Sequence, residues 1–382
     1  MKITFDAMPL LGEKLTGIGW CEVGQANALA ELHPENRYEY SFFSNGEKFL
    51  RERVKQYSGK KIKLNESVFR GYVYRALSSV FPLPYSLFFG RGTDVTHFFN
   101  YIVPPFVHGK KVVTVHDMVY RSFPETVRGR TRLMLEIGLK RSMKRADLIV
   151  TDSEFSKSEI VKYFPEHEGK IRVVPCGVDL NRFYPCRDTD RIAKVKKSLG
   201  IDGDYFLYTG TIEPRKNLER LITAYFIFSR KVSSPPKLVL AGGKGWLNDG
   251  IYSRVKRLNL ESRVIFTEYV PSEDMNPLMC GALAFVFPSV YEGFGLPPLE
   301  AMACGVPVLA SGEASLPEVT GNCAVICNAY SEKSIAKGLY RLYKDENLRN
   351  ELSSKGLERA KCFTWKKSAE ILYKVYEELV NG

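Results

Sequence analysis

From Phe287 to Leu309 the chain reads Phe-Pro-Ser-Val-Tyr-Glu-Gly-Phe-Gly-Leu-Pro-Pro-Leu-Glu-Ala-Met-Ala-Cys-Gly-Val-Pro-Val-Leu, placing Glu292 and Glu300 eight residues apart across a glycine-rich turn. The apolar run Leu283–Phe287 predicts a buried strand, and Pro297 and Pro298 mark where a helix can begin. Gly293 and Gly295 let backbone approach a ligand closely, and a helix start offers unpaired N–H groups and partial positive charge to a phosphate. The prolines carry no N–H, which leaves Gly295, Leu296 and Leu299 as donors, with Phe294 between the glycines. Glu292 in the turn and Glu300 in the first helical turn can accept paired hydroxyls, as on a ribose or a hexose. The chemistry suits a sugar carried on phosphate. A tight turn whose Glu300 merely complements the helix dipole uses the same residues, so the rest of the chain must decide.

Three other stretches place reactive side chains at strand ends. Leu15-Thr-Gly-Ile-Gly19 precedes a helical pattern reaching Leu32, so Gly17 and Gly19 make either a diphosphate loop at a helix start or a plain tight turn. The run Val112–Val115 ends in His116-Asp117, where His116 can bond a sugar hydroxyl or serve as a satisfied structural histidine. Tyr208-Thr-Gly-Thr-Ile-Glu-Pro-Arg-Lys-Asn217 sets Arg215 and Lys216 at a strand-to-helix junction just after Gly210. Two cations and a helix N-terminus there can hold a leaving diphosphate, a task usually given to a divalent metal. A solvated basic turn is the alternative on a chain of net charge +12.

The elements that must position these groups alternate. Strand-like runs at Ile3–Phe5, Tyr38–Phe43, Val112–Val115, Leu148–Thr151 and Ile171–Val174 are followed by Tyr205–Tyr208, Leu238–Ala241, Val264–Phe266, Leu283–Phe287 and Val306–Ala310, with helical patterns between. Such alternation specifies an α/β fold with parallel sheets flanked by helices. A length of 382 residues, 45% of them apolar, suits two domains. The Pro- and polar-rich stretch after Val174, running into the charged segment Arg191–Lys197, reads as the interdomain linker. An amphipathic helix is expected over Thr364–Leu379.

No apolar run approaches the ~20 residues that span a bilayer, and Met1-Lys-Ile-Thr-Phe-Asp enters a strand rather than a signal peptide, so a cytoplasmic protein is expected. The eight cysteines show no metal-ligand spacing with the five histidines. They are expected to be reduced, with no metal site. The positive charge implies an anionic partner: nucleic acid, a phosphorylated substrate or an acidic membrane surface.

Four strand-end motifs in two matched halves resemble the retaining glycosyltransferases of family 4. The resemblance rests on Thr16-Gly-Ile-Gly19, Thr114-Val-His-Asp117, Thr151-Asp-Ser153, Val174-Pro-Cys-Gly-Val-Asp179, Gly210-Thr-Ile-Glu-Pro-Arg-Lys-Asn217, Leu240-Ala-Gly-Gly243 and the Glu-x7-Glu signature Glu292–Glu300. It implies the GT-B fold, two facing Rossmann-like domains with parallel sheets and an interdomain cleft. The N-terminal acceptor-side domain would span 1–183, completed by a C-terminal helix at 365–382, and the nucleotide-sugar domain 184–364. By position, Glu300 would hold the donor ribose, Glu292 and the amides of Gly293, Phe294, Gly295 and Leu296 the sugar and phosphates, and Arg215 with Lys216 the diphosphate. Gly17 and Gly19 would approach that diphosphate, His116 would touch the sugar, and the base would lie near Glu268, Tyr269 and Val270. Trp20-Cys-Glu22 departs from the Arg-Tyr that relatives often carry.

The implied reaction is hexosyl transfer from a nucleotide-sugar donor to an acceptor hydroxyl with retained configuration, without cofactor or metal. The wording of the motifs is closest to bacterial mannosyl- and rhamnosyltransferases of polysaccharide assembly, which makes GDP-mannose the first expectation and a UDP- or dTDP-sugar the second. A saccharide or lipid-linked acceptor is expected. Arg128–Asp147 carries seven Lys or Arg against Glu136 and Asp147, interleaved with apolar residues, and Val80–Phe89 is aromatic and broken by prolines. Together they fit docking at the inner face of the plasma membrane, or equally a solvated basic helix beside a buried loop. A nucleic-acid-binding protein would need basic residues interleaved with stacking aromatics along one groove, which the chain lacks, so no nucleic acid is expected. A protein that binds a sugar nucleotide without transferring it is the remaining alternative.

Overall fold

The computed structural model describes residues 1–81, 83–246 and 248–382. The chain divides into two compact units, one built from Met1–Tyr120, Gly129–Gly177 and Trp365–Gly382, the other from Arg121–Arg128 and Val178–Thr364.

Unit 1 carries seven parallel strands: β1 (Lys2–Asp6), β2 (Arg37–Phe43), β3 (Ile62–Ser67), β4 (Val95–Phe98), β5 (Lys110–Thr114), β6 (Leu148–Thr151) and β7 (Ile171–Val173). Their order is β3-β2-β1-β4-β5-β6-β7, so the direction of winding reverses between β1 and β4. Ligands of open α/β sheets bind where such a reversal opens a crevice at the strand ends. Strands β3 and β4 carry no continuous apolar run. Ile62-Lys-Leu-Asn-Glu-Ser lies at the sheet edge and keeps a polar face, while Val95-Thr-His-Phe is wholly buried because His97 finds partners inside. His97 Nδ1 lies 2.6 Å from Tyr376 Oη and Nε2 2.8 Å from Thr114 Oγ1.

The helix Gly17–Leu32 starts earlier than expected. Gly17 is its first residue, exposed, and Gly19 lies inside it, so the two glycines form a helix N-terminus rather than a loop before one. Gly19 is buried, and a Cβ there would come within 2.9 Å of Leu15 Cδ2. On the same helix a Cβ at Gly24 would lie 2.2 Å from the Trp365 ring. The helix Trp365–Asn381 therefore packs where only a hydrogen fits. It places Ala369, Leu372, Val375 and Tyr376 in the unit 1 core, where each large apolar side chain contributes about 1.5–3 kcal/mol.

Unit 2 carries six parallel strands: β8 (Tyr205–Thr209), β9 (Lys237–Ala241), β10 (Val264–Glu268), β11 (Ala284–Phe287), β12 (Val308–Ser311) and β13 (Ala324–Cys327), in the order β10-β9-β8-β11-β12-β13. Here the reversal falls between β8 and β11, so residues 210–217 and 288–295 leave adjacent strand ends. The charged segment Arg191–Lys197, to which the Pro- and polar-rich stretch gives way, is helical. It belongs to the helix Thr189–Ser198, whose N-cap Asp188 accepts a 2.9 Å hydrogen bond from Arg191 N. Two doubly wound, Rossmann-like units with parallel sheets make up the α/β architecture of the GT-B class.

Candidate functional site

The two loops at the unit 2 reversal are bound to each other. Val290 N donates to Arg215 O at 3.0 Å, and Asn217 Nδ2 donates to Pro288 O at 2.9 Å and Ala329 O at 2.7 Å. Asn217 adopts φ 62°, a left-handed conformation that a short amide side chain tolerates. The excursion Arg121–Arg128 packs alongside, with Phe123 5.4 Å from the Tyr291 ring and Thr126 O accepting from Trp246 Nε1 at 2.6 Å.

Inside this frame Arg215, Lys216 and Glu292 form one network. Glu292 Oε1 accepts from Lys216 Nζ at 2.6 Å and from Ser289 Oγ at 2.6 Å, and Oε2 accepts from Arg215 Nη1 at 2.9 Å. Arg215 Nε makes a second ion pair with Glu213 at 2.6 Å. Burial pushes the Glu292 carboxyl up, but the Arg215 and Lys216 charges and the hydrogen bonds from Lys216 and Ser289 outweigh it and hold the group at about 2. Burial, with the Arg215 charge, lowers the Lys216 ammonium despite its carboxylate neighbours. Sequence reasoning gave Glu292 to sugar hydroxyls and the two cations to a diphosphate. In this structure both Glu292 oxygens are directed at the cations, so the two cations are already paired with carboxylates.

The helix Leu296–Ala303 follows, with Gly295 as N-cap at φ 113° and no side chain capping it. A Cβ at Gly295 would meet Leu316 Cδ2 at 2.7 Å, so conformation and space both require glycine. Ser315 Oγ lies 2.9 Å from Glu292 O and 2.7 Å from Phe294 O, fixing the turn that carries Gly293. Glu300 is the fifth helical residue, in the second turn rather than the first. Burial pushes its carboxyl up to about 7, against the opposing Arg182 charge. Gly210, after β8, has φ 140°, and a Cβ on Gly242 would lie 1.9 Å from Gly210 O, so two backbones touch there. Tyr269, half exposed, and buried Val270 follow β10, two strands or about 10 Å from β8.

In unit 1, His116 is committed to internal partners. Nδ1 lies 2.6 Å from Asp152 Oδ2 and Nε2 2.8 Å from Phe99 O. Burial pushes the imidazole down, but Asp152 outweighs it and raises the group to about 10, which favours a ring that donates from both nitrogens. Neither nitrogen is left for a sugar hydroxyl, the contact expected from the sequence. Asp152, Glu213, Ser289 and Ser315 were the partners that sequence reasoning did not assign. Glu213 and Ser289 sit two and three residues before the groups they bind, a local signal that was available. Asp152 lies in the Thr151-Asp-Ser153 motif that carries the resemblance, but at 36 residues from His116 nothing local pairs the two.

Residues 26–182 match the model of Glycosyltransferase Family 4, and residues 191–359 that of Glycosyl transferases group 1. O-antigen chain mannosyltransferase B of Escherichia coli is 36% identical over 259 residues, 67% of each chain. The serotype-specific mannosyltransferase WbdA of the same organism is 30% identical over 244 residues, 63% of this chain but 30% of that much longer protein. Among solved structures, HepE of Anabaena in complex with UDP and glucose superposes with a TM-score of 0.77 at 18% identity, over 99% of this chain and 100% of that one. WaaG, a glycosyltransferase involved in lipopolysaccharide biosynthesis, gives 0.69 at 16% over the full length of both. These two show the fold. With both halves matched and a relative aligned across two thirds of its length, the chain belongs to the glycosyltransferases of family 4, with a group 1 C-terminal half.

Proposed function

We propose that this enzyme is a retaining hexosyltransferase that moves a mannosyl group from GDP-mannose to a saccharide or lipid-linked saccharide during cell-surface polysaccharide assembly. The observation that carries the reading is the Arg215–Lys216–Glu292 network beside the uncapped N-terminus at Gly295 and Leu296. A fixed arrangement of cations and backbone donors stabilises the charge that develops on a departing diphosphate without reorganising, which makes a divalent metal unnecessary. The mannosyltransferase relatives favour the sugar.

In this reading the acceptor hydroxyl attacks on the face that the diphosphate leaves, and a phosphate oxygen takes its proton. Glu300, protonated or ionised near neutrality, bonds the donor ribose. The chain contributes positioning and electrostatic stabilisation rather than a covalent intermediate. Tyr269 and Val270 flank the base.

The acceptor side acts at the cytoplasmic face of the membrane. Among the described residues no helix is long and apolar enough to cross a bilayer. The helix Gly129–Arg145 buries Leu135, Leu139 and Met143 while Leu133, Met134 and Ile137 stay exposed beside Arg130, Arg132, Lys140, Arg141 and Lys144. That face suits anionic lipid. Of the aromatic stretch Val80–Phe89, Tyr85 and Phe89 are buried, Phe81 and Leu87 are exposed, and Pro82 lies outside the described residues.

A thermal-shift panel of GDP, UDP, dTDP and their sugars, without metal, tests the donor, because a ligand that binds only the folded state raises its melting temperature. GDP-mannose should stabilise most, and Glu300→Ala should abolish the shift. Stabilisation by a UDP- or dTDP-sugar alone would reassign the donor, and a shift without turnover on any acceptor would leave a binding protein. Flotation with anionic liposomes at low salt tests docking, and absence of binding there ends it.

A further inference from the structure

We propose that unit 1 contains a zinc-type metal site formed by Cys21, His116 and Asp152, with Cys176 as the fourth ligand. One donor atom from each of the first three lies within 4.8 Å of the others, and all three residues are buried. Cys176 Sγ lies 3.5 Å from Cys21 Sγ and is near enough to feel the Asp152 carboxylate. A tetrahedral ion with bonds of about 2.0–2.3 Å separates its ligands by roughly 3.3–3.8 Å. The Cys21–Cys176 spacing is already in that range, the His116–Asp152 contact must open by several tenths of an ångström, and the widest separation among Cys21, His116 and Asp152, up to 4.8 Å, must close by about 1 Å.

Two independent features point to a ligand rather than to an ordinary buried ion pair. His116 Nε2 donates to Phe99 O at 2.8 Å, which fixes its hydrogen and turns Nδ1 toward the cluster. A backbone carbonyl in that place is the usual outer support of a metal-bound histidine. Second, Asp152 is 4% exposed, and its Oδ1 has at most the Cys176 thiol, a weak donor, as a partner. A buried carboxylate oxygen so poorly partnered costs free energy unless something else binds it.

A divalent ion takes the place of the proton between Nδ1 and Oδ2 and of the thiol protons of Cys21 and Cys176, so three protons leave and the ion with Cys21, Cys176 and Asp152 carries one net negative charge. Mixed N, S and O donors in a tetrahedral set favour zinc over magnesium or calcium. The ion would tie the helix Gly17–Leu32 to the segments that follow β5, β6 and β7, and it takes no part in the transfer proposed above. The motif escaped sequence inspection because its members, Cys21, His116, Asp152 and Cys176, have no ligand spacing along the chain.

The test is a cobalt(II) titration of the full chain, reduced and stripped with chelator, reading the thiolate-to-cobalt charge-transfer band and its bleaching by zinc. One equivalent should bind, and zinc should raise the melting temperature. Losing an outer-shell partner costs about 10–100-fold in affinity, so Cys21→Ser and Asp152→Asn should each weaken binding by more than about 100-fold. Cys362→Ser, at an exposed cysteine, should change nothing. Should Cys21→Ser fail to fold, Asp152→Asn carries the comparison. The site is refuted if the folded wild type develops no thiolate band, or if the band persists at full strength in the Cys21→Ser and Cys176→Ser variants.

Discussion

Replacing Glu292 by glutamine tests the network at the heart of the candidate site. The carboxyl is held at about 2 against an ordinary 4.5, a difference of about 2.5 pH units. At 1.36 kcal/mol per unit this stabilises the fold by about 3 kcal/mol at neutral pH. Side-chain exposures of 8% for both Glu292 and Lys216 leave little room for solvent screening. The same loss seen from the other side is a buried ammonium deprived of its partner, about 3–5 kcal/mol. These describe one interaction and are not summed, so Glu292→Gln should cost about 3 kcal/mol at pH 7. Because the folded pKa is depressed, the contribution is complete above pH 4.5 and is lost as pH falls toward about 2. Urea unfolding, followed by hydrogen exchange on peptides from β8 and β11, isolates unit 2. Wild type and variant should differ fully at pH 7 and converge in acid, and Lys216→Met added to Glu292→Gln should recover part of the loss. A cost below about 1 kcal/mol at pH 7, or a difference that ignores pH, would show that the network does not stabilise the loops as argued.

Glu300 carries the opposite sign. Its folded-state pKa is raised from 4.5 to about 7, so stability is highest below pH 4.5 and declines as pH rises to about 7. With its partial exposure discounting the shift, Glu300→Gln should remove about 2 kcal/mol of that slope, read as a flatter profile of melting temperature against pH. Gly210→Ala forces a Cβ to φ 140° and to within 2.8 Å of Tyr208 Oη, and should cost about 1–3 kcal/mol in denaturant unfolding. Tyr376→Phe leaves His97 Nδ1 without its partner. Burial holds that imidazole neutral, down at about 3, so the loss of about 1–3 kcal/mol should be constant across neutral pH.

The strands that were legible in the sequence are those whose residues form a continuous apolar run, central ones buried on both faces such as Tyr205–Thr209 and Ala284–Phe287 and also the partly buried edge strands β7 and β10. The strands β3, β4 and β13 were not. One edge strand alternates, β4 hides a histidine, and β13 keeps Ile326 at a half-exposed sheet edge. The site was legible as positions: Arg215, Lys216 and Glu292 do leave neighbouring strand ends. Their mutual neutralisation was not, since it depends on which carboxylate folds back over which cation, 76 or 77 residues away. His116 shows the same limit, because a strand-end histidine looks alike in sequence whether it faces a ligand or an aspartate.

The chain leaves unit 1 after Gly177 and returns to it at Trp365, which sets a timetable for synthesis. Tyr376 follows His97 by 279 residues. At about 5–20 residues per second a ribosome takes roughly 14–56 seconds to make that distance. Throughout that interval the nascent N-terminal sheet has an open seat where Leu372, Val375 and Tyr376 belong, whereas residues 178–364 are complete as soon as they emerge. The second-made half can thus reach its native state first, and the first-made half must be kept from aggregating until the last helix arrives.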